Sequence, residues 1–369
     1  MASNPKNKLS LGIFGINCSG ALSATLIPER WDASWDHNLA LAHMADDAGL
    51  DFMLPLGRWR GYGGQTDHNG EAFETLTWAA GLLAATRRIR VFGTVHVTLF
   101  HPVLAAKQMA TVDHIGHGRF GLNIVCGWYQ DEFQMFGVEL GEGSARRYDE
   151  GQEWLDIVTR IWTEDAPFDF AGEFFTLKGV KGDPKPVQRP RPMVLNAGHS
   201  PKGRAFAMRN ADVMFTSVVD VQTSAQELAD LRRALTATGR SVGIYTTVHV
   251  VCRPTRKEAE EFYHYYAVEN ADEGAIETMM RERGWLAKGY PDDVIARLRK
   301  RMAGGNGGYP IIGSPDDVAE EMRRLNAMGI DGCAMGLVNG LLYFPYFQGE
   351  VLPRLERLGL RIPLARDAA

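Results

Sequence analysis

The sequence predicts an α/β fold of one kind: a (β/α)8 barrel of the TIM type, with insertions at its C-terminal face. Two observations carry this. Short apolar or β-branched runs alternate with longer amphipathic ones, and eight of the short runs read as strands. No linker-like stretch or shift in composition divides the 369 residues, so a single domain spanning 1–369 is expected in place of two doubly wound ones.

The first strand is Leu11 to Ile16, followed by a helix over Trp35 to Ala48 with Leu39, Ala42 and Ala45 on one face and Gly49 as its stop. Phe52 to Leu56 is the second strand; Phe73, Leu76, Ala80 and Leu83 then recur at helical spacing. Ile89 to Val97 is the strongest strand, and Pro102 opens a helix to about His114, as its fixed φ favours. Arg119 to Val125 is the fourth strand, and Arg146 to Trp162 a long helix. Strands at Pro192 to Asn196, Val213 to Thr216 and Ile244 to Val251 alternate with helices at Gly203 to Asn210, Ala225 to Thr238 and Lys257 to Val268. Ser314 caps a helix over Pro315 to Met328, Asp331 to Leu337 is the eighth strand, and Tyr346 to Leu358 closes the chain.

Two stretches break the repeat. About 165–192 reads as a small hairpin insertion; about 272–312 is long, charged and glycine-rich, and reads equally as a mobile lid or an ordinary surface excursion.

Charge and motifs exclude several function classes. Lys plus Arg number 40 against 45 Asp plus Glu, a net charge of −5, which is no footprint for nucleic acid. The four cysteines, Cys18, Cys126, Cys252 and Cys333, lie too far apart for a disulfide framework. Met1 to Leu9 is polar and lacks the apolar stretch of a leader, and no run is long enough to span a membrane. A cytoplasmic protein is the expectation. No phosphate-loop or strand-linked dinucleotide signature occurs; Gly61, Gly63 and Gly64 read as a flexible loop. His96, His101, His114 and His117 lack ligand spacing, so no metal is expected, and no nucleophile elbow is present.

The informative residues lie at strand ends. Asn123 and Trp128 bracket the end of the fourth strand; a buried Asn there needs a partner, in the core or in a ligand. Glu132 follows, then Arg146, Arg147 and Tyr148 at a helix start, where arginine opposes the dipole unless an anion sits there. Asn196 to Ser200 runs from the fifth strand into a helix; Gly198 permits close backbone approach, and Ser200 can cap the helix or donate to a phosphate. Two helix starts suited to an anion point to a phosphorylated cofactor.

These residues carry a resemblance. The segments AAKQMATVDHIGHGRFGLNIVCGW (105–128), ARRYDEGQEWLDIVTRIWT (145–163) and NAGHS (196–200) resemble the bacterial luciferase-like flavin monooxygenases. The nearest branch holds the alkanesulfonate and dimethyl sulfone monooxygenases and the pyrimidine oxygenase, and the likeness runs from LGIFGIN to YFQGEVLPRL. It implies a barrel enzyme that takes reduced FMN from a separate NAD(P)H-dependent flavin reductase and uses O₂. The segment at Gly57 and Arg58 matches the flavin-contacting end of strand two. Asn123 matches a flavin-ring contact, Glu132 a residue in the cofactor neighbourhood, Arg147 and Tyr148 a pair near the phosphate, and Ser200 a phosphate-binding serine. Thr94 matches a threonine beside the oxygen pocket of the pyrimidine oxygenase.

On that basis Thr94 and Asn123 are expected to hold the activated oxygen by hydrogen bonds. His96 and His68 are candidates for proton transfer, since imidazole titrates near neutral pH. Arg58 is expected to pair with an anionic substrate or the flavin edge. Trp59, Tyr62, Trp128 and Tyr309 are expected to line an aromatic substrate pocket. LPLGRWRGYGG lacks the cysteine that sulfonate enzymes carry after strand two, so a small organosulfur compound or an N-heterocycle is the expected substrate. A homodimer or homotetramer is expected, with Trp78, Leu82 and Met109 either at the interface or in the core. Two other readings fit the same barrel: a deazaflavin-dependent oxidoreductase that never uses O₂, and a non-catalytic flavin-binding protein.

Overall fold

A computed structural model describes residues 7–140 and 144–364. The start of the polar N-terminal segment, Met1 to Lys6, lies outside the described residues. Eleven strands form in chain order: β1 (Ser10–Phe14), β2 (Phe52–Leu54), β3 (Arg90–His96), β4 (Phe120–Val125), β5 (Phe168–Ala171), β6 (Thr176–Val180), β7 (Met193–Asn196), β8 (Val213–Phe215), β9 (Gly243–Cys252), β10 (Tyr309–Gly313) and β11 (Gly332–Gly336). Eight of them close a parallel ring in the order β1-β2-β3-β4-β7-β8-β9-β11, with β11 paired back to β1. The fold is therefore the (β/α)8 barrel, with helices between the strands.

Local chemistry fixes the helix starts. Ser34 accepts from His37 N ahead of helix Trp35–Asp47, and Pro102 occupies the first turn of helix Pro102–Ile115. Ser314 and Asp317 exchange hydrogen bonds as a capping box before helix Pro315–Ala327. Inside the ring, Phe52, Leu54, Phe92, Leu195, Val213 and Phe215 fill the barrel. Phe52 meets Phe92 edge-on with ring centroids 6.1 Å apart. A larger apolar layer lies between the strands and the helices. Trp78, Leu82 and Met109 all belong to that layer, and the Trp78 indole donates to Asn38 Oδ1 at 2.8 Å. They are core residues and cannot form an interface between copies, which settles the alternative left open by periodicity.

The two insertions differ in kind. Strands β5 and β6 make an antiparallel hairpin outside the barrel. The second insertion, read from the sequence equally as a mobile lid or a surface excursion, is a packed layer. It holds helices Glu273–Glu282 and Asp292–Gly305, a short turn of helix at Leu286–Lys288, and β10. Ile276, Met279, Met280, Met302 and Ala303 are its buried core. Strand β10 pairs in parallel with the second half of β9, Val248 to Cys252, while β8 pairs with the first, Gly243 to Tyr245. Both lie on the edge of β9 that faces away from β11, because β11 and β10 share partners at Val248 and His249. Asp272, at the head of the insertion, accepts from Gln65 N (3.1 Å), Thr66 N (2.8 Å) and Thr66 Oγ1 (2.7 Å), so the insertion is tied to the loop after β2. No helix among the described residues is long and apolar enough to cross a membrane.

Candidate active site

The strands end around a cavity of about 160 Å³ at the C-terminal mouth of the barrel. Phe14, Leu54, Asn123, Leu195 and Phe215 bring it the ends of five strands, Thr246 and Thr247 line it from β9, and Arg301, Asn306 and Tyr309 come from the second insertion. Register places Thr94 opposite Asn123 on the adjacent strands β3 and β4. Asn123 Nδ2 donates to Thr94 Oγ1 at 3.0 Å, and Thr94 Oγ1 donates onward to Pro55 O at 2.7 Å. That chain orients the Asn123 carbonyl oxygen, which is buried and has no partner among the described residues. Thr246 Oγ1 on the same cavity wall is likewise buried without a partner. A buried polar atom left unpaired costs about 1–3 kcal/mol, and these two lie on the cavity wall.

Ala197 and His199 continue the wall toward helix Pro201–Asn210, whose N-cap is Ser200. Ser200 Oγ accepts from Gly203 N at 3.1 Å, and Asn196 Oδ1 accepts from Gly198 N at 2.9 Å. The Tyr148 hydroxyl lies so close that a Cβ on Gly198 or Gly203 would approach it to 2.7 Å. Glycine is needed at both positions for this packing. Arg146 turns out to Glu173 at 2.7 Å, whereas Arg147 is half-buried beside Cys126 and Tyr148. Burial pushes the Tyr148 phenol up to about 12, so it is a neutral donor. Neutral donors and open helix amides at a helix start suit a phosphate.

The loop after β2 carries the third group. Glu132 Oε1 accepts from Arg58 Nη1 at 2.9 Å and from the backbone amide of Trp59 at 2.8 Å. Both side chains of this ion pair are almost wholly buried, at 4% and 1% exposure. The Arg58 guanidinium also lies over Tyr62 (4.7 Å), Trp128 and Tyr129 (5.5 Å each). Arg58, expected to pair with an anionic substrate or the flavin edge, here gives Nη1 to Glu132 and lies over three rings. Gly57 is wedged against Thr94 and His96, where a Cβ would come within 2.8 Å and 2.7 Å.

The histidine roles also need correction. His96 is buried edge-on against Phe133, and burial, with Arg58 adding to it, pushes its pKa down to about 3. His68 is enclosed behind Gly20 and stacked on Tyr62; burial, opposed by Asp272 and aided by Arg58 and Arg283, takes it to about 3 as well. Neither ring titrates near neutral pH. The expected aromatic pocket is divided too. Tyr309 lines the mouth cavity, with its hydroxyl donating to Glu321 at 2.6 Å, while Trp59 and Tyr62 line a separate outer hollow with Tyr129.

Comparison with known proteins gives this geometry a family. A family model described as luciferase-like monooxygenase matches residues 13–332. The chain belongs to the luciferase-like monooxygenases. It is 30% identical over 358 residues to an FMNH₂-dependent dimethylsulfone monooxygenase of Pseudomonas fluorescens (strain Pf0-1), covering 95% of this chain and 96% of the relative. It is 34% identical over 359 residues to the pyrimidine monooxygenase RutA of Escherichia coli O150:H5 (strain SE15), covering 94% and 92%. A solved riboflavin lyase with modified FMN and riboflavin superposes with a TM-score of 0.84 at 21% identity, covering 98% of this chain and 94% of that one, which speaks to the barrel alone.

This luciferase-like monooxygenase should lose stability on mild acidification. His68, His96 and His249 each have a folded pKa of about 3 against an ordinary 6.5. For His249 burial is again the first cause, with Arg301 beside it. Between those values the unfolded chain binds protons that the folded one does not, so stability rises with pH and is lost as pH falls below 6.5. Each ring contributes about 1 kcal/mol per pH unit within that window. Urea unfolding between pH 6.5 and 5 should show a shallower slope for His249→Gln. An unchanged slope would mean the ring is already charged in the folded state.

Several residues of the site escaped sequence reading. Thr246 and Arg301 line the mouth cavity, Tyr129 lies beside Arg58 in the outer hollow, and Arg283 holds the cavity residue Asn306. Thr246 sat in plain view inside a strand, and parity along β9 was the one available signal. The others come from the insertion or from a short helix that carries no motif.

Proposed function

We propose that this protein is the oxygenase of a two-component system. It takes reduced FMN from an NAD(P)H-dependent flavin reductase and uses O₂ to oxidise a small organic molecule, an organosulfur compound or an N-heterocycle, in the cytoplasm. The observation that carries this is the pair of unpartnered polar atoms, Asn123 Oδ1 and Thr246 Oγ1, in the mouth cavity of a chain at least 30% identical to an FMNH₂-dependent relative over nearly its whole length.

The residues fit such a cofactor. Asn123 and Thr246 would meet the polar edge of a flavin ring. Tyr148, Arg147 and the helix start at Ser200 would hold its phosphate, with Gly198 leaving room for the backbone to approach. When bound, reduced flavin supplies the electrons that activate O₂. The chain's own part is to bind, orient and keep water out. Thr94 fixes the Asn123 amide, so that its carbonyl oxygen would be held ready to accept from a bound ring. The aromatic rings of Tyr62, Tyr129 and Trp128 wall the approach beside Arg58. The buried His96 stays neutral near pH 7 and packs against Gly57.

An anaerobic titration with oxidised and with reduced FMN tests the reading. Tighter binding of the reduced form, followed by substrate-dependent O₂ uptake, is the expected result. Equal affinity for both forms would favour a flavin-holding protein. Binding of neither would turn attention to a deazaflavin and remove the roles given to Asn123, Tyr148 and Ser200.

A further inference from the structure

A second cavity, of about 320 Å³, lies between the loop after β1 and the loop after β2. The first loop brings Gly20, Arg30 and Asp32 to it, and the second brings Asp67, His68 and Glu71. It shares no lining residue with the mouth cavity.

The charges on its two walls face each other without being joined. Arg30 is half-buried, and its side chain makes one hydrogen bond, from Nη1 to Ile27 O at 3.4 Å. No carboxylate among the described residues lies within ion-pair distance of it. Four of its five N–H groups are therefore uncommitted. On the opposite wall Asp67 and Glu71 are exposed, and neither carboxylate has a donor or a cation among the described residues. Asp32 is different: its Oδ1 accepts from Ser34 N at 3.1 Å and holds His37 Nδ1 at 2.8 Å.

Solvated charges of this kind are ordinary on a surface, but the floor beneath them is not. His68 is 1% exposed and makes no hydrogen bond among the described residues. Its Nε2 is wholly enclosed. Its Nδ1 lies 2.5 Å from where a Cβ on Gly20 would stand. Glycine at 20, itself on the cavity wall, thus puts no side chain between Nδ1 and the cavity. Burial keeps the ring neutral near pH 7. With its proton on Nε2, Nδ1 offers a lone pair to whatever enters, and leaving such a buried group unserved costs about 1–3 kcal/mol.

We propose that this cavity binds a small zwitterion of the amino-acid type, its carboxylate on Arg30 and its ammonium between Asp67, Glu71 and His68 Nδ1. A guanidinium takes two carboxylate oxygens side by side, and an ammonium has three N–H groups for three acceptors. Neither a plain anion nor a plain cation serves both walls. The inference stands apart from the oxygenase reading, because the mouth cavity plays no part in it.

Calorimetric titration of the full chain at pH 7.5 tests it. Glycine and alanine are the zwitterionic probes; acetate and methylammonium carry one charge each. The zwitterions should bind with saturation, about tenfold or more tighter than either singly charged probe. Arg30→Gln and Glu71→Gln should each weaken them by about fivefold or more, and Asp67→Asn should act in the same direction. His68→Phe, which can keep the stack on Tyr62, should weaken them as well. Acetate or methylammonium bound as tightly as glycine would overturn the proposal. So would zwitterion affinity unmoved by Arg30→Gln or Glu71→Gln, or no saturable binding up to about 50 mM. The comparison of probes on the unaltered chain decides the matter even if a variant does not fold.

Discussion

Glu132→Ala is expected to remove about 3–5 kcal/mol of folding stability, the largest single effect in this molecule. The carboxylate is fully buried, and its Oε1 answers the Arg58 guanidinium and the amide of Trp59 together. Alanine would leave a guanidinium uncompensated among Tyr62, Trp128 and Tyr129, where water does not reach it readily. It would also strip the loop after β2 of one of its two carboxylate anchors, the other being Asp272. Glu132→Gln keeps an acceptor and should cost less. The double change Arg58→Met with Glu132→Leu should recover most of the loss, since an apolar pair needs no desolvation. Urea unfolding at pH 7.5 reads all three. A loss under about 1 kcal/mol for Glu132→Ala would mean that the pair is hydrated and holds nothing.

Asn123→Leu should weaken binding of reduced FMN by about ten- to a hundredfold while leaving the fold nearly as stable. The side chain keeps its branching at Cγ and grows by the difference between two methyls and an amide. The hydrogen bond that leucine cannot make is the donation to Thr94, whose own bond to Pro55 remains. The substitution also removes the buried carbonyl oxygen at the cavity wall, which no protein donor serves among the described residues. Thr94→Val should have a smaller effect in the same direction, because it frees the amide to turn without removing it. Anaerobic titration of both variants makes the comparison. Reduced FMN bound as tightly by Asn123→Leu as by the unaltered chain would place the flavin elsewhere.

Much of the barrel was legible because its strands are apolar runs bounded by turn residues, and all eight ring strands coincide with the runs read from the sequence to within two residues at their ends. The ninth parallel strand, β10, was not. YPIIG is short, begins beside a glycine run and follows amphipathic helices, and nothing local says that it pairs with the far half of β9. At the site, Thr94 and Asn123 were readable as polar residues in apolar strands, and the structure sets them in register. The histidines were misjudged because titration depends on enclosure: His96 and His68 look ordinary in the sequence, yet Phe133, Gly57, Tyr62 and Gly20 shut them in. Trp78, Leu82 and Met109 posed the reverse problem, since an apolar helix face reads the same whether it meets a partner or its own barrel.

Strand β9 gives the same edge first to β8 and then to β10. On its opposite edge β9 pairs with β11 from Tyr245 to His249, so β10 joins level with the upper end of the ring. The insertion thus hangs from the stretch of that edge which β8 leaves open, so its helices can change in length and sequence without altering the pairing of the eight ring strands.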